Sequence, residues 1–315
     1  MKKILANDGL EEAGINLLEK NGFIVVTEKV PQDELAVYIN ENEYAALIVR
    51  SATKVNKALI DECPSLRLIA RGGVGMDNID VEYAKSKNIQ VVNTPAASSL
   101  SVAELVMAHI FSMSRFLHES NRQMPEKAQK EFTQLKKNFS KGVELTGKTL
   151  GIIGFGRIGQ SAASLGLGLG MKIKAYDPYI SDAMVELNVD VIPKIKIPVK
   201  TVPLDEVFEQ SDYITLHVPG GELITEKEIR KMKKGVMLVN ASRGGVINEA
   251  ALLAALDSGK VAQAALDVFK GEPAPDKHVL RHPKISLSPH IGGSTKEAQE
   301  RIGIELAEKI IHFLQ

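Results

Sequence analysis

Three ionisable side chains in the last quarter of this 315-residue chain each follow an apolar run and stand beside glycine or proline. Arg243 lies in Ala241-Ser242-Arg243-Gly244-Gly245, Glu272 in Gly271-Glu272-Pro273, and His290 in Pro289-His290-Ile291-Gly292-Gly293. The runs before them, residues 236–240, 262–267 and 285–288, read as strands, and open parallel sheets bind ligands beyond the carboxyl ends of their strands. A histidine there can exchange a proton with a hydroxyl, a carboxylate can orient the ring, and an arginine can hold an anion while polarising a carbonyl. Six other histidines compete for the acid/base role. His109 sits in an apolar helix and reads as packed core, His118 and His312 lie near helix ends, and His278 and His282 fall in a loop. His217 ends a strand before Val218-Pro219, close to where a cofactor should lie.

The cofactor is indicated by Gly154-Phe155-Gly156-Arg157-Ile158-Gly159. A lone GxGxxG is weak, but this one follows an apolar strand, opens a helix, and is trailed 18 residues later by Asp177 at the end of a second strand. Gly154 permits the tight turn, Gly156 lets the backbone approach a pyrophosphate, and Gly159 lets the helix pack closely on its strand. Asp177 can accept the adenosine ribose hydroxyls, and its charge repels a 2′-phosphate, so NAD is favoured over NADP. With a nicotinamide present, the Arg, Glu and His set suits hydride transfer at C2 of a hydroxy acid. A second glycine cluster, Gly72-Gly73-Val74-Gly75, lacks a trailing acid and reads as a close-approach surface for a small substrate.

Short β-rich runs alternate with amphipathic stretches throughout, the pattern of parallel sheets covered by crossover helices. The expected fold class is α/β, with two doubly wound parallel-sheet domains. Residues 101–118 read as one long helix with more apolar surface than a single buried face needs, which points to a subunit or domain interface. Residues 121–141 read as exposed helix and loop, and residues 191–203, with three prolines, as a surface excursion. Equal numbers of basic and acidic residues, 39 each, argue against a general nucleic-acid binder. Cys63 is the single cysteine, which excludes an internal disulfide and a multi-thiolate metal site. No metal site is expected. With no 18-residue apolar run and no signal-peptide core, the expectation is a soluble, cytoplasmic protein without membrane contact.

The fingerprint, Asn240-Ala241-Ser242-Arg243-Gly244-Gly245, Ala264-Ala265-Leu266-Asp267-Val268-Phe269 and Pro289-His290-Ile291-Gly292 together resemble the D-isomer-specific 2-hydroxy-acid dehydrogenases over nearly the whole chain. The resemblance implies a flavodoxin-like substrate domain from residues 1–97 and 290–315, with a Rossmann-like NAD domain, residues 98–289, inserted in it. It implies a cleft that closes, and a homodimer paired through the nucleotide domain. His290 would be the acid/base, Glu272 its partner, and Arg243 the substrate clamp. Arg157 and Ile158 would line the pyrophosphate, and His217, Val218 and Pro219 would border the cofactor. Ala241 and Ser242 would offer it contacts, and Asp267 would face the nicotinamide end. Arg50, Ser51, Arg71, Gly73 and Val74 would hold the substrate. Arg50-Ser51-Ala52-Thr53-Lys54-Val55 and Ser294-Thr295-Lys296-Glu297-Ala298-Gln299 are most like the subgroup that oxidises 3-phosphoglycerate to 3-phosphohydroxypyruvate, so a phosphorylated 2-hydroxy acid is the expected substrate. Reduction of glyoxylate, hydroxypyruvate or another plain 2-oxo acid is the alternative, and a NAD-sensing, corepressor-like regulator a third.

Three departures from the family pattern stand out. The loop after Pro219 is shortened to Gly220-Gly221-Glu222, the 191–203 excursion is long, and Ser98 replaces a usual Asn. Because the sequence ends at Gln315, the regulatory domains of longer family members, and serine feedback through them, are not expected.

Overall fold

Ile4-Leu5-Ala6 and Ala46-Leu47-Ile48-Val49 are solvent-inaccessible along their whole length, as a parallel strand covered on both faces requires. The computed structural model describes residues 1–187 and 195–315, which divide into two units: Met1–Ser99 with Gly293–Gln315, and Leu100–Gly292. The first unit alternates β1 (Lys3–Ala6), α1 (Glu12–Lys20), β2 (Ile24–Val26), α2 (Leu35–Glu41), β3 (Tyr44–Val49), α3 (Lys57–Glu62), β4 (Leu68–Arg71), α4 (Val81–Ser86) and β5 (Gln90–Asn93). Its sheet is parallel in the order β2-β1-β3-β4-β5, the flavodoxin-like order. The direction of winding reverses between β1 and β3. The chain therefore leaves both strands outward, and Asp8-Gly9 and Arg50-Ser51 flank the crevice left at that switch point.

The second unit begins with α5 (Ser99–Ser114) and α6 (Leu117–Asn138), where one helix over 101–118 was expected. Phe116 is the reason for the break: its φ of 56° is left-handed and ends the α5 ladder. Then follow β6 (Thr149–Ile153), α7 (Arg157–Gly168), β7 (Lys172–Tyr176), β8 (Asp182–Leu187), β9 (Ile195–Lys200), α8 (Leu204–Gln210), β10 (Tyr213–Leu216), α9 (Glu226–Lys231), β11 (Val236–Asn240), α10 (Glu249–Asp257), β12 (Val261–Leu266), α11 (Lys277–Arg281) and β13 (Ile285–Leu287). The parallel sheet runs β13-β12-β11-β10-β6-β7. Thr201 extends it by a parallel bridge to Ala175, which restores the third strand of a Rossmann order outside β7.

The first part of the 191–203 excursion lies outside the described residues. From Ile195 it forms β9, antiparallel to β8, a ribbon whose Val185 and Val199 pack into the core beside α7. The chain returns to the first unit as α12 (Lys296–Leu314), capped by Thr295 Oγ1, which accepts the Ala298 N–H at 3.2 Å. Residues 290–292, expected with the substrate domain, belong to the second unit, because Asp267 accepts hydrogen bonds from the N–H groups of Ile291 and Gly292.

Helix α12 crosses α1 at Gly14 and Gly303, where a Cβ built on Gly14 would lie 2.6 Å from the Gly303 carbonyl oxygen. Alanine is favoured in a helix by about 1 kcal/mol over glycine, but overpacking costs about 1–3 kcal/mol. The clash prevails because the opposing atom is backbone and cannot rotate away. Gly14→Ala is expected to lower the thermal unfolding midpoint by several degrees; a midpoint equal to the parent's or higher would refute the close crossing.

Candidate active site

The glycine-rich turn is built at the second sheet's switch point, between the ends of β6 and β10. Gly154 (φ 93°) donates its N–H to Tyr176 O at 2.8 Å, and a Cβ there would stand 2.4 Å from the His217 carbonyl oxygen. A Cβ on Gly159 would fall 2.2 Å from Gly154 O, so only glycine lets α7 lie this close to β6. Gly156 differs: nothing lies within 4 Å of its Cβ position, and no side chain caps the first amides of α7, which begins at Arg157-Ile158. Open space before uncapped N–H groups at the start of a twelve-residue helix suits an anionic pyrophosphate, so these residues fit NAD.

Asp177 Oδ2 accepts the Phe155 N–H at 2.8 Å, and its Oδ1 accepts those of Tyr179 and Ile180 at 2.9 and 3.2 Å. The carboxylate expected to meet ribose therefore also ties the glycine turn to the end of β7. The His217 ring is directed at Thr215 Oγ1, 3.1 Å away, and burial pushes its pKa down to about 4. What His217 presents to the glycine turn is its backbone carbonyl. Val218-Pro219 follows directly, leading into Gly220 and Gly221 with φ of 140° and 82°.

Arg243, Glu272 and His290 follow the neighbouring strands β11, β12 and β13. His290 Nδ1 is 2.8 Å from Glu272 Oε2, while Glu272 Oε1 accepts the Phe269 N–H at 2.7 Å. His290 has a left-handed backbone, φ 56°, unusual for a non-glycine residue. Its turn is held by Asp267, whose Oδ1 accepts the Ser288 hydroxyl (2.6 Å) and the Ile291 N–H (2.9 Å), and whose Oδ2 accepts the Gly292 N–H (2.9 Å). After β11, Asn240 Oδ1 accepts both the N–H and the hydroxyl of Ser242, and Arg243 Nη1 donates to Ser242 O at 2.7 Å. A Cβ on Gly244 would lie 1.9 Å from Phe269 O, so this glycine lets the Ala241-Ser242-Arg243 turn pack on the loop leading to Glu272. A cavity of about 400 Å³ opens beside the pair, lined by Phe269, Glu272, Leu280, Pro289 and His290.

In the first unit, the Arg50-Ser51 turn is clamped from both sides. Asp8 accepts the N–H groups of Arg50 (2.7 Å) and Thr53 (3.0 Å), the Thr53 hydroxyl, and an ion pair from Lys29. Burial raises the Asp8 carboxyl, but these hydrogen bonds outweigh it and hold it below the usual carboxylate range. Asn78 Nδ2 donates to Arg50 O and Thr53 O. Arg50 lines a cavity of about 180 Å³ with Asp8, Gly72 and Gln299. Arg71 ends β4. Its Nη1 donates to Gly72 O at 3.2 Å and fills the Cβ position of Gly73 (φ 142°), so the side chain braces its own loop. The loop is tied down further by Asn93 Nδ2 to Val74 O and Thr94 N–H to Gly73 O.

The sequence reading passed over Asp8 and Asn78; the available signal was an Asp-Gly directly after the first strand, on the strand bordering the switch point. Among the described residues no group of three or more His, Cys, Asp or Glu side chains could hold a metal ion. No single described helix is long and apolar enough to cross a membrane.

Residues 107–292 match the family model of the D-isomer specific 2-hydroxyacid dehydrogenase NAD binding domain. The chain is 44% identical to a hydroxypyruvate reductase of Thermotoga maritima, covering 99% of this chain and 98% of that one. It is 41% identical to a D-3-phosphoglycerate dehydrogenase of Methanocaldococcus jannaschii across its whole length, but spans only 58% of that relative. Among solved structures, a glyoxylate reductase from Paecilomyes thermophila matches with a TM-score of 0.80 and 26% identity over 98% of this chain and 95% of that one. The chain therefore belongs to the D-isomer specific 2-hydroxyacid dehydrogenases. It is a NAD-dependent oxidoreductase acting on a small 2-hydroxy acid or its 2-oxo counterpart.

The buried His217 carries a consequence for stability. With its folded pKa near 4 and an unfolded value near 6.5, the unfolded chain binds more protons between those values. The stability contributed by the neutral ring is thus complete above about pH 6.5 and is lost as pH falls toward 4. The unfolding midpoint is expected to drop between pH 7 and 4.5, and to drop less in His217→Gln; an undiminished drop in the variant would remove His217 as a cause.

Proposed function

We propose that Glu272, His290 and Arg243 carry out the chemistry of a D-2-hydroxy-acid dehydrogenase, and that the preferred substrate is 3-phosphoglycerate, as in D-3-phosphoglycerate dehydrogenase. The observation that carries the catalytic reading is the 2.8 Å pair of His290 Nδ1 and Glu272 Oε2. With Nδ1 held by the carboxylate, Nε2 is the atom left to take the C2 hydroxyl proton in oxidation and return it in reduction. The Glu272 charge stabilises the imidazolium formed, and its own second oxygen is anchored to Phe269 N–H, so the ring keeps its orientation in both protonation states. Arg243 binds the substrate carboxylate and polarises the C2 oxygen. NAD, held by Gly154, Gly156, Arg157, Ile158, Gly159 and Asp177, supplies the hydride acceptor when bound, with Val218, Pro219, Ala241 and Ser242 along its path. Within the first unit, the family resemblance gives Arg50, Ser51, Arg71 and the Gly73 and Val74 amides as substrate contacts.

The phosphate preference is supported by Arg50 beside a small polar cavity and by the motif likeness around residues 50–55. A second reading, reduction of hydroxypyruvate, is favoured by the full-length match to the Thermotoga maritima relative. Exposed Phe111 on α5 and Leu117 and Phe132 on α6 support pairing of two copies through the second unit.

Nicotinamide absorbance with 3-phosphoglycerate, D-glycerate, hydroxypyruvate and glyoxylate, each with NAD(H) and NADP(H), tests the substrate. A kcat/KM for phosphorylated substrate at least ten-fold above its plain counterpart is expected; equal values would pass the assignment to hydroxypyruvate reduction. His290→Ala is expected to lower kcat by about two to four orders of magnitude with NAD binding retained, the range for a lost general acid/base. Near-normal turnover in that variant would refute the role.

A further inference from the structure

His109 is the histidine whose sequence context suggested a packed core residue, and it is 6% exposed. Its two ring nitrogens nevertheless both have polar partners in and directly after β13: Nδ1 lies 2.9 Å from Ser286 Oγ and Nε2 lies 2.9 Å from Ser288 Oγ. Both serines are themselves buried. The chain of contacts continues, because Ser288 donates its hydroxyl to Asp267 Oδ1 at 2.6 Å, and Asp267 holds the N–H groups of Ile291 and Gly292. Ser101, also on α5, donates to the Gly292 carbonyl at 2.7 Å. The turn carrying His290 is thus held at residues 291 and 292 by Asp267 and Ser101.

Proton counting assigns every donor in this chain. Asp267 receives three donors and acts as a pure acceptor, so the single Ser288 proton points to it. Ser288 Oγ can then only accept from the ring, which makes Nε2–H of His109 the donor. A neutral imidazole has one donor, so Nδ1 accepts the Ser286 hydroxyl. Burial lowers the pKa of His109 and favours this neutral form, although the Asp267 charge opposes it. The order Ser286 O–H, His109 Nδ1, His109 Nε2–H, Ser288 Oγ, Ser288 O–H, Asp267 runs in one direction and ends on a carboxylate.

We propose that His109 is a positioning residue for His290: its Nε2–H fixes Ser288, which fixes Asp267, which holds the left-handed His290 turn in the geometry that meets Glu272. The proposal rests on the acid/base reading of His290. It assigns His109 no contact with substrate or cofactor. Its energetic logic is preorganisation, since a misplacement of a fraction of an ångström at an acid/base is felt in the rate long before it is felt in the fold.

Three measurements test it. His109→Leu keeps the size and removes both hydrogen bonds, and is expected to lower kcat about ten-fold while KM for the oxo acid and the NADH dissociation constant stay within three-fold. His109→Gln, which can donate to Ser288 and accept from Ser286, should recover at least half of the parent kcat. Ser288→Ala breaks the same chain at the next atom; its loss should match that of His109→Leu, and the double variant should be no worse than either alone. Leu and Gln variants that lose kcat equally, or a Leu variant with parent kcat and only a lower melting temperature, would overturn the proposal in favour of packing.

Should His109→Leu not fold, Ser288→Ala and the nitrogen-15 shifts of the parent protein carry the test. A single Nε2–H tautomer of His109 at neutral pH is required; a proton on Nδ1 refutes the proposed order. A parent protein that binds NADH but turns over no 2-oxo acid would instead refute the function reading, and the tautomer would still report on the chain by itself.

Discussion

Where a strand of a parallel sheet ends, the chain turns out of the ladder and its N–H groups lose their partners, yet they are still close to a dry core. In this protein four carboxylates take such N–H groups. Asp8 holds Arg50 and Thr53, Asp177 holds Phe155, Tyr179 and Ile180, Asp267 holds Ile291 and Gly292, and Glu272 holds Phe269. Hydrogen bonds to an ionised acceptor are about twice as strong as neutral ones, and a buried unpaired amide costs about 1–3 kcal/mol. The same side chains that give the loops their shape therefore give the site its fixed charge.

This double duty has a chemical consequence. A carboxylate anchored through one oxygen presents the other in a set direction, which is how Glu272 can hold His290 Nδ1 without rearranging when the ring gains a proton. The unfavourable backbone of His290 is tolerated because the neighbouring amides are already committed to Asp267. The His290 turn, the glycine turn and the Arg50-Ser51 turn are each tied to a neighbouring carboxylate, an arrangement that preorganises them.

Arg71 illustrates a second use of a side chain at a strand end. An arginine beside a glycine turn reads as an anion clamp, and here the left-handed Gly73 also leaves a vacant Cβ position that the guanidinium fills. Ser98, in place of a usual Asn, is buried rather than offered to a ligand from the surface. The single long helix expected over residues 101–118 is cut at Phe116 by a backbone conformation that no capping residue announces. In the 191–203 excursion, prolines and lysines concealed the β9 half of a ribbon, because a two-stranded ribbon packed on one face carries too few apolar residues to outweigh them.

Sequence alone was sufficient for the alternation of strands and helices, the glycine turn with its trailing Asp177, and the placing of Arg243, Glu272 and His290 beyond successive strand ends. Those features are local: a period of two or 3.6, a steric demand for glycine, a charge at a strand end. Folding in three dimensions was needed to turn His217 inward, to brace the Gly72-Gly73 loop with Arg71, and to connect His109 on α5 to Asp267 through Ser288. Those contacts join residues separated by between 1 and 179 positions. Their existence depends on which atoms are desolvated together, a property of the packed interior that no spacing along the chain encodes.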